Sequence, residues 1–297
     1  MQNRISWQKI RRRCLIAGAC GLVILLTTAW FVGGTLVSTA HRIVGPPPFD
    51  ANTVVTTLTS ESGSSLATWY VPVENSSATV VLIHPWRGDR RTMNNRAEML
   101  IHAGFSIVMI DLQGHGESPG EQITAGYLES HDVKAAVEFA IRQNPDHRIG
   151  LIGCSIGGAA AILASPLGID ALVIESVYPT IDDAVCNRIE SRLGPLCYAL
   201  APLLLCQLEP RTGVSCSLLR PIDRIGEVGC PIMIMSGEDD LHTKMVDTNR
   251  LYDAAKPPKE LVLFKGAAHV DLMDHDEKLY SSRVVKFLED HLKPAKK

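Results

Sequence analysis

Hydrophobic positions fall into two regimes along the chain. Between Arg13 and His41 lie 27 consecutive residues without a charge or a histidine, densest from Leu15 to Val32. As a helix this run reaches about 40 Å, against a bilayer hydrocarbon core of about 30 Å, so it is long enough to cross a membrane. From about residue 53 the apolar positions come in short runs of the kind buried on both faces of a sheet. Val54–Leu58 and Leu66–Val71 flank Gly63 and read as an opening hairpin. Six more strands are expected at Val80–Ile83, Phe105–Ile110, Ile149–Ile152, Ala171–Ile174, Ile232–Met235 and Leu261–Phe264. Helical periodicity fills the intervals at Met93–Ala103, Tyr127–Arg142, Ile156–Ala164, Met245–Ala254 and Glu277–Leu292. Alternation of strand and helix implies a mostly parallel, eight-stranded α/β sheet flanked by helices.

One interval breaks the rhythm. About 55 residues separate Ile174 from Ile232, where one helix would suffice. This stretch holds Pro179, Pro195, Pro202, Pro210 and the run Leu203-Leu204-Leu205, and it reads as an inserted helical cap at about 178–225. Four of the eight cysteines, Cys186, Cys197, Cys206 and Cys216, fall within it. Two disulfides with three alternative pairings, or reduced buried thiols, both fit these spacings. No CxxC pair is present, which disfavours a zinc ribbon.

Charge adds an orientation. Arg4, Lys9, Arg11, Arg12 and Arg13 precede the long apolar run and only Arg42 follows it closely. The positive-inside rule then puts the N-terminus in the cytoplasm and everything after residue 40 on the extracytoplasmic side. The expected organisation is a basic tail at 1–13, a transmembrane anchor at 14–37, a linker at 38–52 and one catalytic-sized domain at 53–297. Gly45-Pro46-Pro47-Pro48 stiffens the linker. A cleaved signal ending at Ser38-Thr39-Ala40, or a lipid attached at Cys20 after Gly18-Ala19, are the competing fates of the leader. The apolar run is longer than a signal core and continues well past Cys20, which favours the uncleaved anchor.

The net charge of −3 conceals two unlike pieces. Residues 1–50 hold six of the 29 cations and one of the 32 anions, so the remainder carries 23 cations against 31 anions. An acidic domain lacks the footprint of a nucleic-acid binder. At 46% hydrophobic and 21% charged the chain is a packed globular one. No phosphate-cradling loop or dinucleotide fingerprint is present, so no cofactor is expected. His269, Asp271, Asp274, His275 and Asp276 cluster without metal-ligand spacing, so no metal is expected either.

Gly153-Cys154-Ser155-Ile156-Gly157 follows an expected strand and opens an expected helix. A nucleophile on so tight a turn needs small neighbours, and the helix N-terminus offers free N–H groups and a favourable dipole to a developing anion. With this motif, from about residue 53 to 292, the chain resembles the α/β-hydrolases, and Gly158 extends the match. Gly237-Glu238-Asp239-Asp240, after one strand, resembles that family's acid turn. Gly266-Ala267-Ala268-His269, after the next, resembles its histidine loop. The order nucleophile, acid, histidine is also the family's.

The resemblance implies Ser155 as nucleophile, His269 as general base and Asp240 as the acid that orients it. Asp240 is chosen over its neighbours Glu238 and Asp239 by its position after Gly237, and Glu175 is the alternative acid. It also implies an oxyanion hole built from the backbone N–H groups of Ile156 and Trp86. Trp86 belongs to His84-Pro85-Trp86-Arg87-Gly88, where Pro85 stands in place of the family's usual glycine. Asp111-Leu112-Gln113-Gly114-His115-Gly116-Glu117-Ser118 reads as a scaffold turn, with His84 and His115 bracing loops. The implied activity is hydrolysis of a carboxylic ester, or a related acyl bond, through an acyl-enzyme. A peptidase of the serine aminopeptidase type, an acyltransferase and a silent binding protein are the alternatives. The expected partners are a small or lipidic acyl substrate and the membrane.

Overall fold

The computed structural model describes residues 7–49 and 52–293. Arg4 of the basic tail and residues 50–51 of the expected linker lie outside them. The hairpin consists of β1 (Val54–Thr59) and β2 (Ser65–Val71). It is followed by β3 (Ala78–Ile83), β4 (Ser106–Ile110), β5 (Arg148–Cys154), β6 (Ala171–Glu175), β7 (Ile232–Gly237) and β8 (Lys259–Phe264). They form one sheet in the order β1-β2-β4-β3-β5-β6-β7-β8. Only β2 runs against its neighbours.

The helices are α1 (Trp7–Val37), α2 (Asn94–His102), α3 (Tyr127–Gln143), α4 (Ile156–Leu163), α5 (Ile181–Leu193), α6 (Cys197–Leu205), α7 (Leu208–Thr212), α8 (Pro221–Arg224), α9 (Met245–Ala254), α10 (Leu272–His275) and α11 (Glu277–Leu292). Successive strand residues point to opposite faces, and each face buries its own set. Val81, Ile83, Leu151 and Ile174 pack with Val133 and Ala136 of α3, Ala159 of α4 and Leu251 of α9. Val80, Leu82, Ile152 and Val173 pack with Ala97 and Leu100 of α2 and with Val284 and Leu288 of α11. Two helical layers therefore sandwich strands that are apolar on both sides, which is why those strands read as unbroken apolar runs.

From β3 the chain steps outward to β4 on one side and then returns to β5 on the other. A crevice opens beyond the carboxyl ends of strands at such a reversal. The interval between β6 and β7 is the helical insertion, made of α5 to α8. All eight cysteines are free in the structure.

The stretch between α1 and the sheet is bound to the domain. Ala40–His41 pairs with His115–Gly116 as a short parallel ladder. The N–H groups of Val44 and Gly45 donate to the Glu117 carboxylate. Arg87 Nη1 donates to the Thr35 and Ser38 carbonyls at 3.3 and 3.2 Å, at the end of α1. The apolar helix is thus fastened to the domain rather than hung from it.

Candidate active site

Ser155 stands between the last residue of β5 and the first of α4, with φ 50° and ψ −113°. That backbone sits in a region that L-residues seldom occupy and is held there by surrounding structure. Its N–H donates to the Glu175 carbonyl at 2.8 Å, and its carbonyl accepts from Ala159 at 2.9 Å. The turn is tight enough that a Cβ on Gly153 would lie 2.7 Å from the Gly158 Cα. Ser155 and His269 line one cavity of about 260 Å³, together with Pro85, Met93, Arg96, Glu175 and Asp271. The Ser155 hydroxyl makes no hydrogen bond among the described residues. Such contacts commonly tighten only when substrate is bound.

His269 Nδ1 lies 2.8 Å from Asp240 Oδ2. The Asp240 carboxylate also accepts from the backbone N–H groups of His242 and Thr243, at 2.7 and 2.9 Å, and from the Thr243 hydroxyl. Burial alone would raise the Asp240 pKa, but His269 and the Thr243 donors outweigh it and hold the carboxyl below its usual value. Glu238 and Asp239 are exposed. Glu175 is taken by other partners: it accepts from Arg96 Nε at 2.9 Å, Arg96 Nη2 at 2.6 Å and the Tyr280 hydroxyl. The geometry therefore pairs His269 with Asp240 and not with Glu175.

The loop after β3 is braced from below. His84 Nε2 accepts from the Leu112 N–H at 3.0 Å, which leaves Nδ1 to donate to the Pro85 carbonyl at 2.8 Å. Burial pushes the His84 pKa down to about 4. Burial, then the neighbouring His84, brings His115 down to about 3. Both rings are therefore neutral struts, 5.0 Å apart. Gly88 N–H closes a turn onto Pro85 O, with Arg87 at φ 58°. The N–H groups of Trp86 and Ile156 are committed to no hydrogen bond among the described residues, so both are free to serve an incoming oxygen. Asp111 accepts from the backbone of Arg90 and Glu117 and pairs with the Arg90 guanidinium, as a scaffold residue would.

Arg96 and Tyr280 carry no local sequence signal, and Asp271, part of the acidic stretch after His269, joins them here as an ion-pair partner. Arg96 is 2% exposed and binds Glu175 and Asp271 at once, the latter at 2.7 and 3.0 Å. These partners are 79 and 175 residues away in the chain, and no local spacing signals them. His242 likewise carries no motif, and its ring lies 4.8 Å from that of His269. Among the described residues, one group has the donors for a metal: the ligand atoms of Cys186, Glu190 and Cys197 lie within 4.8 Å of one another, in the insertion. It includes none of the elbow, acid-turn or histidine-loop residues.

Comparison with known structures decides the architecture. An esterase of Pyrococcus furiosus, Pf2001, superimposes with a TM-score of 0.69 over 85% of this chain and 98% of that one, at 22% identity. The fold is that of the α/β-hydrolases. Residues 74–205 of this chain match the family described as serine aminopeptidase, S33. The uncharacterized protein YfhR of Salmonella typhimurium is 25% identical over 274 residues, covering 85% of this chain and 86% of its own. A thermostable monoacylglycerol lipase of a Bacillus species is 22% identical, covering 73% of this chain and 93% of its own length.

Proposed function

We propose that the chain is a membrane-anchored serine hydrolase of carboxylic esters, working through an acyl-enzyme. The observation that carries this reading is the Asp240–His269 hydrogen bond beside a cavity that also holds Ser155 on its strained turn. Ser155 is a poor nucleophile at its ordinary pKa and needs a base. His269 takes its proton through Nε2, because Nδ1 is held by Asp240, and Asp240 stabilises the imidazolium that forms. The free N–H groups of Ile156 and Trp86 receive the oxyanion of the tetrahedral intermediate. His269 then protonates the departing alkoxide, and water repeats the sequence on the acyl-Ser155 ester.

An ester is favoured over a peptide with a free amino terminus because the cavity's carboxylates are already paired. Such a peptide needs an unpaired carboxylate to receive its ammonium group. Both Glu175 and Asp271, the carboxylates lining the cavity, are already bound by Arg96, so neither stands unpaired. The relatives named as an esterase and a monoacylglycerol lipase agree with this choice.

In the same reading α1 is a single membrane span, with the N-terminus in the cytoplasm, the sheet domain outside and α5 to α8 capping the site. Within Lys9–Val37 the most apolar 18 residues have a mean hydropathy of 2.2 and none of them is buried, as in a lipid-facing helix. The test of the chemistry is labelling by a fluorophosphonate. Wild type should label and Ser155→Ala should not, and equal labelling would reject the enzyme reading in favour of a silent binding protein. A topology reporter at the C-terminus should be active only outside the cytoplasm.

A further inference from the structure

The apolar helix and the insertion are in contact, and the contact lies inside the apolar run. Gln207 Nε2 donates to the Ala29 carbonyl at 3.1 Å, and Arg211 Nη2 to the Trp30 carbonyl at 2.6 Å. The Arg211 guanidinium sits 3.9 Å over the Trp30 ring. The approach is close enough that a Cβ on Gly33 would lie 2.5 Å from Gln207 Oε1. A span needs about 20 residues. Counted from Cys14, the first residue past the basic cluster, it ends near Gly33. Ala29, Trp30 and Gly33 therefore occupy the last turns of the span, at the outer edge of the hydrocarbon. Trp30 at that depth is the kind of residue interfaces select.

The helix brought to that depth is unlike a helix made for water. From Leu193 to Cys206 there is no charged side chain and no Asn, Gln, Ser or Thr. Yet much of this segment is exposed: Leu193 at 53%, Leu196 at 56% and Tyr198 at 75%, with Ala199 and Pro202 exposed beside them. A helix apolar on all sides normally belongs in a core or a membrane.

We infer that α6 and the turn before it lie in the outer headgroup–acyl boundary of the bilayer crossed by α1, with Leu196 and Tyr198 immersed. The inference rests on the reading of α1 as a span. Immersion of about 5–10 Å is what interfacial helices adopt, and the α1 contact sets α6 and α7 at that level. Arg87 grips the carbonyls of Thr35 and Ser38, so the domain does not lift away while α1 crosses the membrane. The insertion also touches the acid-bearing loop: Asn187 Nδ2 donates to the His242 carbonyl at 3.1 Å, and Lys244 pairs with Glu190 at 2.6 Å. The loop that carries Asp240 is thereby held close to the membrane surface, where esters of long-chain acids reside.

The test uses the full chain in dioleoylphosphatidylcholine vesicles doped with a phospholipid bearing a photoactivatable diazirine on its acyl chain, with adducts mapped by mass spectrometry. Adducts are expected on α1 and on side chains between Leu193 and Cys206. Adducts on α1 alone would overturn the inference while leaving the span intact. Adducts on neither would remove the span and the inference together. In addition, the variant Leu196→Glu/Tyr198→Glu should lower the ratio of turnover of a vesicle-borne monoacylglycerol to that of p-nitrophenyl acetate at least fivefold. An unchanged ratio would overturn the proposal, and because the crosslinking uses wild type, misfolding of the variant does not decide the matter.

Discussion

Asp240 and His269, 29 residues apart in the chain, meet at 2.8 Å through Oδ2 and Nδ1. The pairing fixes which imidazole nitrogen faces the cavity. Asp240→Asn presents an amide that can hold the wrong tautomer, and kcat for p-nitrophenyl acetate should fall about 10⁴-fold, as such changes do in triads. Fluorophosphonate labelling should slow in parallel. A decrease of less than tenfold would dismiss Asp240 as the acid.

Arg96 and Glu175 form a buried ion pair, and loss of Arg96 should be felt as stability first. Arg96→Met strands Glu175, 3% exposed, without its cation. Breaking a buried pair in this way costs about 3–5 kcal/mol. Urea denaturation should register that loss, and the double variant Arg96→Met/Glu175→Leu should recover part of it by removing the orphaned charge.

Asp132 should make alkaline conditions unfavourable. Burial pushes its carboxyl up to about 7, against the opposing hydrogen bonds from the Gln113 N–H, at 2.8 Å, and from the Ser60 side chain. A folded pKa above the unfolded one gives stability that is present at low pH and lost as pH rises through about 7. Asp132→Asn should therefore raise the melting temperature more at pH about 8.5 than at pH about 5. His84 and His115 act oppositely. Their pKa values, down to about 4 and about 3, give stability that is lost as pH falls from the ordinary histidine value through those values. Thermal melts of wild type should show a maximum between these limits.

Cys186 and Cys197 should be the first thiols in the insertion to join. With their sulfurs within 4.8 Å, oxidised glutathione should convert the two thiols to one disulfide, releasing two molecules of reduced glutathione. Peptide mass mapping should find the Cys186–Cys197 crosslink two hydrogens lighter. A crosslink from Cys186 to Cys206 or Cys216 instead would contradict the hairpin geometry of α5 and α6.

The sequence by itself determined the strands, the helices between them and the order of the candidate site residues. The central strands β3 to β7 are buried on both faces because helices cover both, so they stand out as continuous apolar runs. Ser155, Asp240 and His269 sit just past strand ends, where short glycine-bearing turns leave a local signature. Helix α1 was equally legible, as uninterrupted apolarity. What only the tertiary structure decided depends on distance in the chain. That His269 meets Asp240 and not Glu175 is a tertiary matter, since Arg96 and Tyr280 hold Glu175 from 79 and 105 residues away. The association of Cys186 with Cys197, among three pairings, follows from the α5–α6 hairpin. The docking of α1 on Gln207 and Arg211 joins residues about 180 apart, and nothing in the local pattern of either segment encodes it. Periodicity reports which face of an element is buried; only folding assigns that face its partner.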